Sequence, residues 1–189
     1  MQRTVVCGES PTVSLRKVWS DPDGIPPYYY LHDDSCSGRK VALLPFRYLG
    51  WARRPVWRSL LSPVRTPNAE YLLCRESVPC WGLKPRVCVP TVAVTGPSAV
   101  QTAALFLLRS ITGVFVSDDA LLPLGRCFDS RYTDSEYSLF AVDLTGRDEY
   151  GEPSIASGRS SSVTWCRDLD DVPDPIAHAV KNRLISAWF

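Results

Sequence analysis

A-A-L-F-L-L-R-S-I-T-G-V, residues 103–114, decides how this chain folds. Ala104, Leu107, Leu108 and Ile111 recur at i, i+3, i+4 and i+7, which lines one face of a helix with apolar side chains. Leu105 and Phe106 widen that face, so a helix over residues 99–111 is expected to be largely buried. Gly96-Pro97-Ser98 reads as a turn ahead of it, with Ser98 or Thr102 as candidate cap. Gly113 ends the helix, because glycine accepts the left-handed conformation that helix C-termini need. Arg109 is the one charge in the stretch, and no carboxylate is present.

The flanking patterns are those of strands. Upstream, Val87–Val94 is β-branched and apolar but broken at Pro90, and Val41–Leu44 and Glu70–Cys74 are shorter candidates. Downstream, Leu121–Leu124, Gly125–Phe128 and Ser138–Leu144 predict strands of an antiparallel set. Thr145–Ser162 is rich in glycine, serine and mixed charge and predicts an exposed hairpin loop, before a short strand, Val163–Cys166, containing Trp165. Ile176, Ala179, Val180, Arg183, Leu184 and Ala187 give helical spacing to a closing helix at 175–189. Residues 1–40, with Asp21-Pro-Asp-Gly, Pro26-Pro27 and Tyr28–Tyr30, read as an extended, irregular arm. The order predicts an α/β (α+β) sandwich over 86–189, preceded by the arm at 1–40 and a basic, aromatic segment at 41–85.

Composition narrows the function classes. Apolar content of 45% and charged content of 22% suit a globular chain, and sixteen prolines point to a loop-rich N-terminal half. The longest uncharged stretch, Val87 to Leu108, is interrupted by Pro90, Gly96 and Pro97, short of a membrane span. The N-terminus lacks the apolar core of a secretory signal; Arg3, Arg16 and Lys17 against Glu9 make a faintly basic start, compatible with organelle targeting. Seven cysteines without close pairs predict free, mostly buried thiols in a reducing compartment. Residues 1–90 carry 13 Lys/Arg and 7 Asp/Glu, whereas residues 91–189 carry 8 and 13. Ser35 to Ala69 has seven basic residues and no acid, a polarisation that suggests an anionic partner.

With Gly113-Val114 as anchor, the chain from residue 86 onward resembles the Nudix hydrolase superfamily. That family's motif runs Gly, five residues, Glu, seven residues, then Arg-Glu-aliphatic-x-Glu-Glu-x-Gly-aliphatic. On this register Val92 stands at the first glycine and Ser98 at the first glutamate. Phe106 and Leu107 stand at Arg-Glu, Leu108 at the aliphatic position, and Ser110 and Ile111 at Glu-Glu. V-P-T-V-A-V-T-G-P-S (89–98) has the length of the family's L-P-G-G-x-V-E-x-G-E, with Pro90 on its proline. W-C-R-D-L-D-D-V (165–172) resembles the family's later W-x-x-x-(D/E)-(D/E)-(L/I).

The resemblance implies a Nudix-like α/β/α sandwich with a mixed sheet, and it also implies a change of chemistry. Nudix enzymes use helix glutamates to hold magnesium against a diphosphate. Phe106, Leu107, Ser110 and Ile111 supply one hydroxyl and no carboxylate, so no catalytic residue, metal ligand or cofactor is expected. Among relatives that have lost the glutamates, the chain is similar to the Nudix-like protein of the mitochondrial ribosomal large subunit. That similarity implies a structural, RNA-binding subunit of a mitochondrial ribonucleoprotein, with structural RNA and neighbouring protein subunits as partners. The expected contact residues are Arg47, Trp51, Arg53, Arg54, Trp57, Arg58 and Arg65, because arginine pairs with phosphate and stacks on bases.

Other readings remain beside these. The arginines can equally form a solvated or acid-paired surface, and the tryptophans a core. A hydrolase with carboxylates recruited from Glu70, Glu76, Asp134 or Glu136, or a module that binds nucleotide without cleaving it, are the alternatives. Asp118 and Asp119 fit a solvated turn, as does His32 before Asp33-Asp34. Cys80-Trp81 with His178 matches a thiol nucleophile and base in composition only.

Overall fold

The computed structural model describes residues 2–9, 13–20, 28–34, 36–53, 65–76, 85–95, 99–130, 133–147 and 160–188. Two sheets form. Strands β1 (Gln2–Glu9), β2 (Val13–Ser20) and β3 (Tyr28–Asp33) make an antiparallel three-stranded sheet in that order. The sequence predicts an irregular arm here, and that expectation is wrong for these residues. Val5, Val13, Leu15, Val18 and Tyr28–Tyr30 are β-formers, and the proline-rich stretches fall between the strands rather than within them.

The second sheet has seven strands: β4 (Arg39–Arg53), β5 (Arg65–Glu76), β6 (Arg86–Cys88), β7 (Thr91–Ala93), β8 (Leu121–Phe128), β9 (Glu136–Asp143) and β10 (Ser160–Cys166). Its main path runs β10-β5-β4-β9-β8, with β6 beside β5 and β7 beside β4. β4 and β9 are parallel and the other pairs antiparallel, so the sheet is mixed. β4 and β5 therefore run through the middle of the sheet, although their sequences predict only short strands packed on a domain that begins at residue 86. The Leu121–Leu124 and Gly125–Phe128 candidates are one strand, β8, with a register shift between Pro123 and Arg126.

Side-chain alternation builds a core on each face of this sheet. Val41 and Leu43 of β4, Leu72 and Cys74 of β5, and Phe140 and Val142 of β9 face helix α1 (Val100–Thr112). Ala42, Leu44, Phe46, Tyr71, Leu73, Leu139 and Ala141 point the other way, onto helix α2 (Pro175–Trp188). The result is a Nudix-like α/β/α sandwich. α2 starts at a proline, and the buried Asp174 before it accepts the Ile176 N–H at 2.9 Å and the Val89 N–H at 2.8 Å.

The two sheets meet at Gly38. Its carbonyl accepts the Glu136 N–H at 2.7 Å, and the Asp134 N–H donates to Leu31 of β3 at 3.2 Å. Gly38 has a φ of +73°, and a Cβ there would lie 2.7 Å from the Asp134 carbonyl oxygen. Only glycine fits that position.

Candidate functional site

Helix α1 decides what the Nudix-like scaffold holds. Ala104, Leu107, Leu108 and Ile111 are all buried against the sheet, as their spacing predicts. Leu107 and Ile111, which stand at glutamate positions of the family motif, thus belong to the core. Ser110, at a third glutamate position, is half-buried and donates its hydroxyl to the Leu107 carbonyl at 2.8 Å. Val92 is half-buried in β7 opposite Val41, and Ser98 lies outside the described residues. Phe106 overturns its expectation: it is 60% exposed, because it sits on the far side of the helix from Leu107 and Leu108. Gly113 closes the helix in the left-handed region at φ 72°, its N–H bonded to the Arg109 carbonyl at 2.8 Å. Thr112 seals the same turn, donating to the Leu108 carbonyl and accepting the Val114 N–H.

These side chains do not fit magnesium. The face that would need hard oxygen donors presents two aliphatic groups to a close-packed core and one hydroxyl already committed to the backbone. The alternative carboxylates are scattered. Glu70 pairs with arginines at the middle of β4, whereas Glu136 stands opposite Arg39 at its first residue. Eight residues of strand, about 26 Å, separate the two levels. Glu136 pairs with Arg126 at 3.0 Å, and Asp134 with His32. His32 lies at the end of β3 rather than in the expected turn, 3.6 Å from Asp34, which in turn binds Arg16 at 2.8 Å. Asp118 and Asp119 are exposed in a 3₁₀ turn, as predicted. Among the described residues no group of three or more His, Cys, Asp or Glu is arranged to hold a metal ion. Cys80 and Trp81 lie outside the described residues, and the His178 ring is hydrogen-bonded to the Val172 carbonyl.

Of the predicted contact residues, Arg47, Trp51, Arg53 and Arg65 fall along the outer half of β4 and β5. β9 accompanies β4 only as far as Phe46, and β10 accompanies β5 only to Tyr71. Beyond that point β4 and β5 continue as a two-stranded ribbon, residues 47–53 against 65–70, with no third strand beside it among the described residues. Trp51 pairs with Pro67 in register, and Arg53 stands directly opposite Arg65. Arg54, Trp57 and Arg58 lie outside the described residues.

At the base of the ribbon Arg47 is both paired and stacked. Its Nε donates to Glu70 at 2.7 Å, and its guanidinium lies 4.5 Å from the Trp165 ring centroid. Arg167 donates to the other Glu70 oxygen at 2.9 Å. These two arginines hold the Glu70 carboxyl below its usual range, Arg167 contributing first. Arg47 thus takes the acid-paired alternative with respect to Glu70, while Arg167 remains largely open to solvent, its side chain 76% exposed.

Sequence periodicity does not single out Phe115, which follows the helix and is 68% exposed. Arg109 from α1 lies 4.2 Å from its ring centroid, and Arg147 donates to its carbonyl at 3.4 Å. An aromatic just past a helix-ending glycine was the available signal, but only the tertiary structure shows the ring uncovered.

No protein-family model and no curated protein matches the chain. Among solved structures, an ADP compounds hydrolase aligns over 97% of this chain and 89% of its own, with a TM-score of 0.60 at 13% identity. A MutT/nudix family protein from Enterococcus faecalis aligns with a TM-score of 0.44 at 12% identity, covering 67% of this chain and 42% of that one. Trypanosoma brucei MERS1 bound to RNA aligns with a TM-score of 0.47 at 20% identity, covering 74% and 45%. The chain thus spans less than half the length of the latter two. The hydrolase match extends through the N-terminal sheet, and at this identity the likeness is one of fold: the chain has the Nudix fold.

Proposed function

We propose that the chain is a non-catalytic, Nudix-fold structural subunit of a ribonucleoprotein assembly, in its most specific form the large subunit of the mitochondrial ribosome. The observation that carries this is the ribbon. β4 and β5 leave the sheet together, and the sequence from Ser35 to Ala69 that supplies most of them has seven basic residues and no acid. Arg53 facing Arg65 places like charges in direct register, an arrangement that a bound anion relieves. A phosphate backbone is the anion that suits an arginine-rich ribbon carrying Trp51. The aliphatic burial of Leu107 and Ile111 supports a scaffold role over hydrolysis.

Titrating the full chain against structured RNA between about 50 and 200 mM salt tests the proposal, since phosphate contacts make affinity fall steeply with salt. A chain that sediments alone and shows no salt-sensitive RNA binding sinks it. Recovery of the protein from its native source is expected to bring large-subunit RNA and proteins of the mitochondrial ribosome with it. Magnesium-dependent cleavage of ADP-ribose-like or dinucleotide substrates would instead install the hydrolase alternative.

A further inference from the structure

We infer that the RNA-contacting surface continues from the base of the ribbon, across the 144–147 turn, to the C-terminal end of α1, where Phe115 is a stacking platform for an unpaired base; this rests on the RNA-docked reading above. The turn after β9 joins the two places. The Leu144 N–H donates to the Phe46 carbonyl at 2.8 Å, and the Tyr48 N–H donates to the Thr145 hydroxyl at 2.8 Å. The residues flanking Arg47 are therefore tied to one side of this turn. On its other side Arg147 reaches the Phe115 carbonyl at 3.4 Å, and Arg109 stacks against the Phe115 ring.

This band presents two arginine-on-aromatic pairs, Arg47 with Trp165 and Arg109 with Phe115. Arg147 and Arg167 are exposed beside them. Two carboxylates of the band are engaged within the protein: Glu70 with Arg47 and Arg167, and Asp143 with the Thr145 N–H at 2.7 Å. Asp118 and Asp119, just beyond Phe115, limit the surface on that side. Four arginines outnumber these two carboxylates, and the positive excess complements phosphate. Phe115, at 68% exposure, and Phe106, at 60%, leave apolar ring surface in water that a base would cover. A duplex keeps its base faces stacked on one another, so the chemistry selects single-stranded RNA, whose splayed bases stack on aromatic rings and guanidinium planes.

The experiment compares the full chain with Phe115→Ala, Phe115→Trp and Arg147→Gln on a fluorescein-labelled single-stranded oligoribonucleotide and on a duplex of the same sequence. Phe115→Ala is expected to weaken single-strand binding about tenfold with little change in salt dependence, and to leave duplex binding within about twofold. Phe115→Trp is expected to retain binding, which guards against a folding defect. Arg147→Gln is expected to reduce the salt slope by about 0.7 on the single strand. Single-strand binding by the unmodified chain that Phe115→Ala leaves unchanged overturns the inference alone, and so does an equal loss on both RNAs. Failure of the unmodified chain to bind any RNA at low salt overturns the ribonucleoprotein reading itself.

Discussion

Glu70 holds two arginines at once, and its charge state should be visible in stability. Each of its oxygens accepts a guanidinium N–H, and the residue is only 8% exposed. Glu70→Gln removes the charge from both bonds and is expected to cost about 1–2 kcal/mol in urea unfolding at neutral pH. Because the folded carboxyl lies below its unfolded value of 4.5, this stabilisation is present above that pH and lost as pH falls through the folded value. The gap between the two proteins should therefore close in acid. Asp174 behaves in the opposite sense. Burial raises its carboxyl above 3.8 despite the backbone N–H groups it accepts, so its contribution is complete below that value and declines as pH rises through the raised one. Asp174→Asn keeps one acceptor but turns an amide donor toward either Val89 or Ile176. The unmade bond is expected to cost about 1–3 kcal/mol in the same unfolding measurement, with no need for RNA.

At the scale of the element, α1 packs into the core at positions where the Nudix motif carries glutamates. Leu107 and Ile111 each contribute about 1.5–3 kcal/mol by leaving water. Placing a carboxylate at the second position, Ile111→Glu, is expected to destabilise the chain by ~3 kcal/mol or more, because the charge enters a close-packed apolar face without a partner. Thermal melts with and without magnesium check this; a magnesium-dependent recovery of stability would mean the site still accepts the ion. The burial of this helix was legible in the sequence because its period is local. Phe106 does not widen the apolar face as expected, because two residues on from Ala104 it lies about 200° around the helix, away from the buried stripe. β4 was legible only over Val41–Leu44, since Pro45, Gly50 and the arginines beyond look like loop and the strand exists through its partners. The site was legible in the same uneven way. Arg47 stood out as a basic residue among aromatics, but Glu70 lies 23 residues away, and Arg167 lies a further 97 beyond Glu70. Nothing in their local sequence announces that the fold brings them together.

For the molecule as a whole, the proposed RNA-docked role sets folding against binding at the ribbon. Arg53 and Arg65 are register partners across β4 and β5, positions at which like charges cost stability. The same two positions are where a phosphate backbone would gain most, since each neutralised phosphate releases a condensed counterion. Replacing either arginine by glutamine should therefore move the two properties in opposite directions. Stability of the free protein is expected to hold or rise by about 0.2–1 kcal/mol, with the gain shrinking in high salt as the repulsion is screened. RNA affinity is expected to fall across sequences alike, with the slope of log K against log salt reduced by about one for each arginine removed. Parallel urea unfolding and RNA titration of Arg53→Gln, Arg65→Gln and the double variant measure both sides. A loss of stability with unchanged RNA affinity would mean that the arginines serve the fold and that its partner engages another surface.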